Sequence, residues 1–165
     1  MRDNVVLIGM MGCGKTTVGG LLAKKLGFAF VDTDRYLEQA LGRAIPDIFA
    51  REGEAFFRDR EAEAAKELAR GKRQVIACGG GLPTRADAIA ALKGSGTVLF
   101  LRRDPGEIYD KVSMAGRPLG QQGREAFLAR YARREPAYLQ WADRVVEVQP
   151  TPVETTQRIL EVLRK

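Results

Sequence analysis

Between Gly9 and Thr16 the chain reads Gly-Met-Met-Gly-Cys-Gly-Lys-Thr, which fits G-x-x-x-x-G-K-[ST] without a gap. This is the P-loop pattern, and the chemistry it serves is the holding of a polyphosphate. Glycines let backbone N–H groups curl around phosphate oxygens where a side chain would block the approach. A helix opening near Gly14 adds its positive dipole end to the same anion. Lys15 is placed to bridge β- and γ-phosphates, and Thr16 to ligate Mg²⁺. Gly12, Cys13, Gly14 and Thr17 complete the nucleotide-facing set. Cys13, near a helix N-terminus, is either a thiol of lowered pKa or a small space-filling residue.

A second group follows in Val-Asp-Thr-Asp, with Asp32 and Asp34 at the end of an apolar run. Strand C-termini line the ligand crevice of open parallel sheets. Two residues apart on extended chain, the carboxylates would face the same side. One could support a Mg²⁺ shell and the other orient an attacking hydroxyl, although Asp34 also reads as a plain helix N-cap. Further on, Phe-Phe-Arg-Asp-Arg-Glu places Phe57, Arg58 and Glu61 on a long helix. There Arg58 either serves a site or pairs with Glu54 one turn back. Gly79, Gly80 and Gly81 end a third apolar run, as backbone pressed against a ligand or as a tight turn. Gly-Arg-Pro-Leu sets Arg117 in a polar loop able to fold over phosphates and exclude water. Arg-Arg-Glu-Pro-Ala-Tyr carries Arg134, which alone could be an ordinary solvated arginine.

Strands expected at 4–9, 28–32, 74–81, 96–102 and 143–148 alternate with helices expected at 14–27, 34–42, 46–70, 84–93, 105–112, 125–140 and 152–164. A break falls at Ala44-Ile45-Pro46, and 113–124 is a Gly-rich loop. Such alternation predicts an α/β fold, a parallel sheet wrapped by helices on both faces. The 165 residues suit one domain, 45% hydrophobic and 29% charged. The short apolar run at the N-terminus leads straight into the glycines, so no signal peptide is expected. No stretch is long enough for a membrane span. Two cysteines make no disulfide framework, which suits a reducing cytoplasm. The net charge of +6 favours anionic ligands; without a basic stripe interleaved with aromatics, nucleic acid is not expected. Histidine is absent, so proton transfer falls to Asp, Glu, Lys, Tyr or water.

Taken in order, the P-loop, D-x-D, F-R-x-x-E, G-G-G, R-P-L and R-x-P-x-Y motifs resemble those of the shikimate kinases, over essentially the whole chain. The resemblance implies a three-layer α/β/α fold with a five-stranded parallel sheet in the order 2-3-1-4-5. It implies one kinase domain over 1–165, with its P-loop at 9–16, a substrate segment near 33–61 and a mobile lid near 112–124. The implied reaction moves the ATP γ-phosphoryl group to the 3-hydroxyl of shikimate, giving shikimate 3-phosphate and ADP on the route to aromatic amino acids. Carried across, Asp34 binds the acceptor hydroxyls and is the candidate base. Arg58 and Arg134 clamp the carboxylate, with Glu61 in the same set. Gly79, Gly80 and Gly81 approach the ring, and Phe49 and Phe57 wall the pocket. Arg117 reaches the transferring phosphoryl group, Lys15 and Thr16 keep their P-loop roles, and Thr16 and Asp32 attend Mg²⁺. A cytoplasmic monomer is implied.

The chain departs from the family in its lid. Seven residues before the R-P-L arginine stands Asp110, followed by Lys111, where the family carries an arginine that stacks on adenine; Gly120 replaces a second apolar residue. Lys111 is the substitute, and it cannot stack as a guanidinium plane does. The adenine loop is expected at Gln149-Pro150-Thr151-Pro152. Two rival readings remain: a related P-loop kinase acting on gluconate or a nucleoside monophosphate, and a nucleotide-binding domain without turnover. The second would be marked by loss of Lys15, Asp34 or the lid arginine, all of which are present.

Overall fold

The computed structural model describes residues 3–114 and 123–165. Strand β1 (Asn4–Ile8) is buried at all five positions, as a central parallel strand covered on both faces must be. It is flanked by β3 (Gln74–Ala77) and β4 (Gly96–Arg102), with β2 (Ala29–Asp32) and β5 (Arg144–Glu147) at the edges. The order is β2-β3-β1-β4-β5, every pairing parallel, as the resemblance implied. Register sets Val5 against Val75 on one side and Thr97 on the other. Val6, Leu7, Ile8, Ile76, Leu99 and Phe100 form the fully enclosed centre of the core.

Parallel neighbours require helical crossovers. Helix α1 (Lys15–Leu26) leaves β1 through Gly14 and stops at Gly27, both in the left-handed region at φ 100° and 71°. It packs against α7 (Pro152–Leu163), while α3 (Ile45–Leu68) packs against α4 (Ala86–Ser95). Thr151 caps α7 by accepting from the Glu154 N–H at 3.2 Å, with Pro152 in the first turn. Helix α5 (Pro105–Met114) packs on α6 (Gly123–Trp141).

Some boundaries depart from the sequence reading in ways that matter for the site. The β3 ladder ends at Ala77, so Gly79–Gly81 belong to the turn after it rather than to a strand running to 81. A 3-10 turn, Leu82–Thr84, then precedes α4. Helix α2 (Thr33–Leu41) starts one residue earlier than expected. Within α3, Gly53 at φ 86° and ψ 171° breaks the helix that the sequence read as continuous; only glycine takes that conformation cheaply. Most of the expected lid, Arg117 included, lies outside the described residues.

Candidate active site

The phosphate loop is bent by glycine. Gly9, Gly12 and Gly14 have φ of 149°, 81° and 100°, which residues with side chains avoid. A Cβ at Gly9 would also sit 2.7 Å from the Leu101 carbonyl oxygen. Lys15 is 8% exposed, and its Nζ donates to the carbonyls of Gly9 at 2.6 Å and Met10 at 3.0 Å. The ammonium is thus held over the loop where phosphate oxygens would lie. Gly12, Gly14, Lys15, Thr16 and Thr17 line a 330 Å³ cavity that also reaches Asp32, Asp34, Gly79 and Gly80. Cys13 is 1% exposed and is absent from this lining, which makes it a packing residue of the loop.

Asp32 and Asp34 do not stand side by side on extended chain. Asp32 is the N-cap of α2, its Oδ1 accepting from the backbone N–H of Asp34 at 3.0 Å and of Arg35 at 3.2 Å. The capping role open to Asp34 therefore belongs to Asp32, because the helix begins at Thr33 and Asp34 already lies in its first turn. The other oxygen, Oδ2, accepts from the Thr16 hydroxyl at 2.8 Å. A hydroxyl and a carboxylate in contact beside a phosphate cradle are hard oxygen donors of the kind Mg²⁺ takes, with waters and phosphate completing the shell. Among the described residues no three acidic, Cys or His side chains are arranged to hold a metal ion by themselves, and a phosphate-shared Mg²⁺ needs no such set.

Asp34, released from capping, sits in the first turn of α2 and lines the cavity. Burial raises its pKa above the ordinary 3.8, and Asp32 adds to the rise; Lys15 and Arg58 act in the opposite direction. A carboxylate with a raised pKa, close to a phosphate site, suits the transient holding of a hydroxyl proton.

The three glycines explain how the second half of the site is assembled. A Cβ on Gly79 would lie 2.6 Å from Asp34 Oδ1, one on Gly80 3.0 Å from Arg134 Nη1, and one on Gly81 2.6 Å from Arg58 Cζ. Each glycine clears the room for one polar side chain. The turn is itself anchored: the Gly79 N–H donates to the Thr33 hydroxyl at 2.9 Å, and the Tyr138 hydroxyl donates to the Gly80 carbonyl at 2.7 Å.

Arg58 and Arg134 line an adjacent 690 Å³ cavity with Phe49, Ile45 and Pro46. The expected surface pair of Arg58 with Glu54 exists at 3.7 Å but is secondary. The stronger partner is Glu61, whose Oε1 accepts from Arg58 Nη1 at 2.7 Å. Glu61 is 1% exposed, and its Oε2 has no hydrogen-bond partner among the described residues. It holds Arg58 from behind. Burial raises the Glu61 pKa and lowers that of Arg134. Phe49 lines the cavity, whereas Phe57 is buried and packs against it with ring centroids 4.7 Å apart. Phe57 thus supports the wall from inside.

On the other side, Lys111 shares a 540 Å³ cavity with Gln149 and Pro150, together with Arg102 and Arg103. The substitute lysine and the expected adenine loop are therefore brought together. Pro152 opens α7 and does not line this space. Asp110 is drawn off into an ion pair with Arg124 at 3.0 Å. The sequence reading missed Thr33, Tyr138 and Arg103. The first two stand inside quoted motifs, but nothing in spacing tells which backbone group a hydroxyl will reach.

A family model for shikimate kinase matches residues 11–164. The chain belongs to the shikimate kinase family. It is 47% identical to the shikimate kinase of Symbiobacterium thermophilum over 84% of this chain and 83% of that one. With the shikimate kinase of Thermodesulfovibrio yellowstonii identity is 41%, covering 96% and 93% of the two chains. Among solved structures, a shikimate kinase from Acinetobacter baumannii in complex with shikimate superposes with a TM-score of 0.90 at 36% identity, covering 99% and 94%. One from Aquifex aeolicus gives 0.84 at 32% identity, covering 98% and 96%. Family membership brings ATP as the phosphoryl donor.

Proposed function

We propose that this shikimate kinase chain transfers the γ-phosphoryl group of ATP to the 3-hydroxyl of shikimate, with shikimate 3-phosphate and ADP as products. The observation that carries the reading is the position of Asp34. It lies between a phosphate cradle and a cavity whose arginines suit a carboxylate. Guanidinium forks bind carboxylates by paired, charge-assisted hydrogen bonds. Arg58 and Arg134 hold the acid end of the acceptor, and Gly79–Gly81 leave room for its ring.

Asp34 accepts a hydrogen bond from the attacking hydroxyl and takes its proton as the oxygen bonds to γ-phosphorus. The bond from γ-phosphorus to the β,γ-bridging oxygen breaks, and ADP leaves. Phosphoryl transfer depends on positioning and on neutralised charge more than on a strong base, so a carboxylate suffices in a chain without histidine. Lys15 neutralises charge on the β- and γ-oxygens. Arg117, which lies outside the described residues, joins it from a lid near 112–124. Mg²⁺ held near Thr16 and Asp32 would draw charge from the phosphate oxygens. Lys111 and the Gln149–Pro150 turn take the adenine side. We place the enzyme in the cytoplasm as a monomer with no nucleic-acid or membrane role; no described helix is long and apolar enough to cross a membrane.

The test is coupled ADP release with MgATP and each acceptor in turn. Stimulation by shikimate, and none by gluconate or AMP, is the expected result. Turnover with gluconate or AMP and none with shikimate would establish the rival kinase reading. ATP binding with no turnover on any acceptor would make the chain a nucleotide-binding domain.

A further inference from the structure

The cavity that carries Arg58 and Arg134 holds more positive charge than a monocarboxylate needs. Arg130 and Arg133 line it too, and against these four arginines stands one acidic lining residue, Glu54. Positions 130, 133 and 134 share one face of α6, spaced i, i+3 and i+4. None of these three forms an ion pair among the described residues, although Arg134 is near enough to buried Glu61 to favour its charge, whereas Arg58 pairs with both Glu54 and Glu61. Arg58 and Arg130 are each close enough to disfavour the charge on Arg134. Like charges gathered on one helix face oppose folding, and an anion is what relieves them.

Arg58 and Arg134 meet the turn at Gly80 and Gly81 and form the inner pair. Arg133 is exposed and Arg130 half-buried, one helical turn or less away. We propose that Arg130 and Arg133 form an outer anion-capture site at the mouth of the acceptor cavity. It attracts the carboxylate of the incoming acceptor and passes it to Arg58 and Arg134. The inference rests on the acceptor being a small carboxylic acid, as proposed above. A charged cleft of this kind raises encounter rates by about 10- to 1,000-fold, and the gain fades as salt shortens the Debye length from about 30 Å at 0.01 M to about 8 Å at 0.15 M.

The experiment is the dependence of kcat/KM for shikimate on ionic strength, between about 0.01 and 0.3 M. It compares wild type, Arg130→Gln/Arg133→Gln and the charge reversal Arg133→Glu. A Lys25→Gln/Arg158→Gln protein, which loses two cations on the remote α1–α7 side, controls for net charge. For the Gln pair, kcat/KM at low salt should fall about three- to tenfold, the salt slope should flatten, and kcat at saturating acceptor and KM for ATP should hold. Arg133→Glu should lose more at low salt and recover as salt rises, while the control keeps the wild-type slope. A Gln pair with the wild-type slope, or a loss seated in kcat and unchanged by salt, overturns the proposal. So does a control that flattens as much as the pair. Absence of turnover with shikimate in wild type would instead strike the reading of the acceptor.

Discussion

The Tyr138 hydroxyl reaches across from α6 to donate to the Gly80 carbonyl at 2.7 Å. Tyr138 is fully buried, and its ring packs on Phe100 of the central sheet at 5.1 Å between centroids. Its oxygen lies 3.8 Å from the Met10 sulfur, and Arg134 Nη1 lies 4.0 Å from the same atom. One side chain therefore ties the acceptor turn, the helix of Arg134 and the phosphate loop to the core. Tyr138→Phe keeps the packing and strands the carbonyl, at a cost of about 1–3 kcal/mol in stability. We expect KM for shikimate to rise several-fold, with KM for ATP little changed. Steady-state kinetics in both substrates, with a thermal melt, check this; a rise confined to ATP would contradict it.

Asp34→Asn removes the proposed proton acceptor and leaves the phosphate loop intact. A fall in kcat of about 100-fold or more is expected, in the range for a positioned general base, with ATP affinity retained by calorimetry. Unchanged kcat would take Asp34 out of the chemistry.

The pH dependence follows from the raised Asp34 pKa. In the proposed mechanism the hydroxyl proton goes to the carboxylate, so activity in the wild type should fall as pH drops through a value above the ordinary 3.8. The sign for stability is opposite. The folded state keeps this proton to higher pH than the unfolded chain does. Its contribution is therefore fully present below the unfolded value and is lost as pH rises through the folded one. Asp34→Asn, which cannot ionise, should melt higher than wild type at pH 7, and the gap should narrow toward pH 4. A gap that widens on acidification would reverse the assignment.

Gly81→Ala sets a methyl group against the Arg58 guanidinium. Because Arg58 is also held by buried Glu61, it must give up that bond or its place in the cavity. KM for shikimate should rise about tenfold, the loss of one charge-assisted hydrogen bond, with kcat reduced less. Gly20→Ala, where an added Cβ meets nothing within 4 Å, should be silent in the same assay.

Losing the Asp32 carboxylate should be felt twice. Asp32→Ala uncaps α2 at about 1 kcal/mol and deprives Thr16 of its partner. A lowered Tm and a higher Mg²⁺ requirement in the ADP-release assay are expected together. A lowered Tm with an unchanged Mg²⁺ requirement would leave Asp32 as a cap alone.

The P-loop was legible because its function is local: consecutive backbone N–H groups, one lysine and one threonine act within eight residues of chain. The sheet and its flanking helices were legible for a similar reason, since apolar runs of strand length alternate with amphipathic helical stretches, and parallel strands need helical crossovers. The order of the strands came through the family resemblance rather than from periodicity. Asp34, Arg58, Gly79–Gly81 and Arg134 were each ambiguous as residues and became a set only by their sequence order.

Which residue does which task was left to tertiary structure. Helix α2 starts at Thr33, which makes Asp32 the cap, sets Asp34 inside the first turn and frees it for the cavity. Arg58 had a local partner in Glu54, yet its better bond is to Glu61, because burial makes that carboxylate costly to leave without a cation. The three glycines looked alike, and only the approach of Asp34, Arg134 and Arg58 from three different helices assigns one to each. Spacing along the chain determines what can lie on one strand or one helix face. Contacts such as Tyr138 to Gly80, 58 residues apart, are set by how the layers pack, and packing depends on the whole core at once.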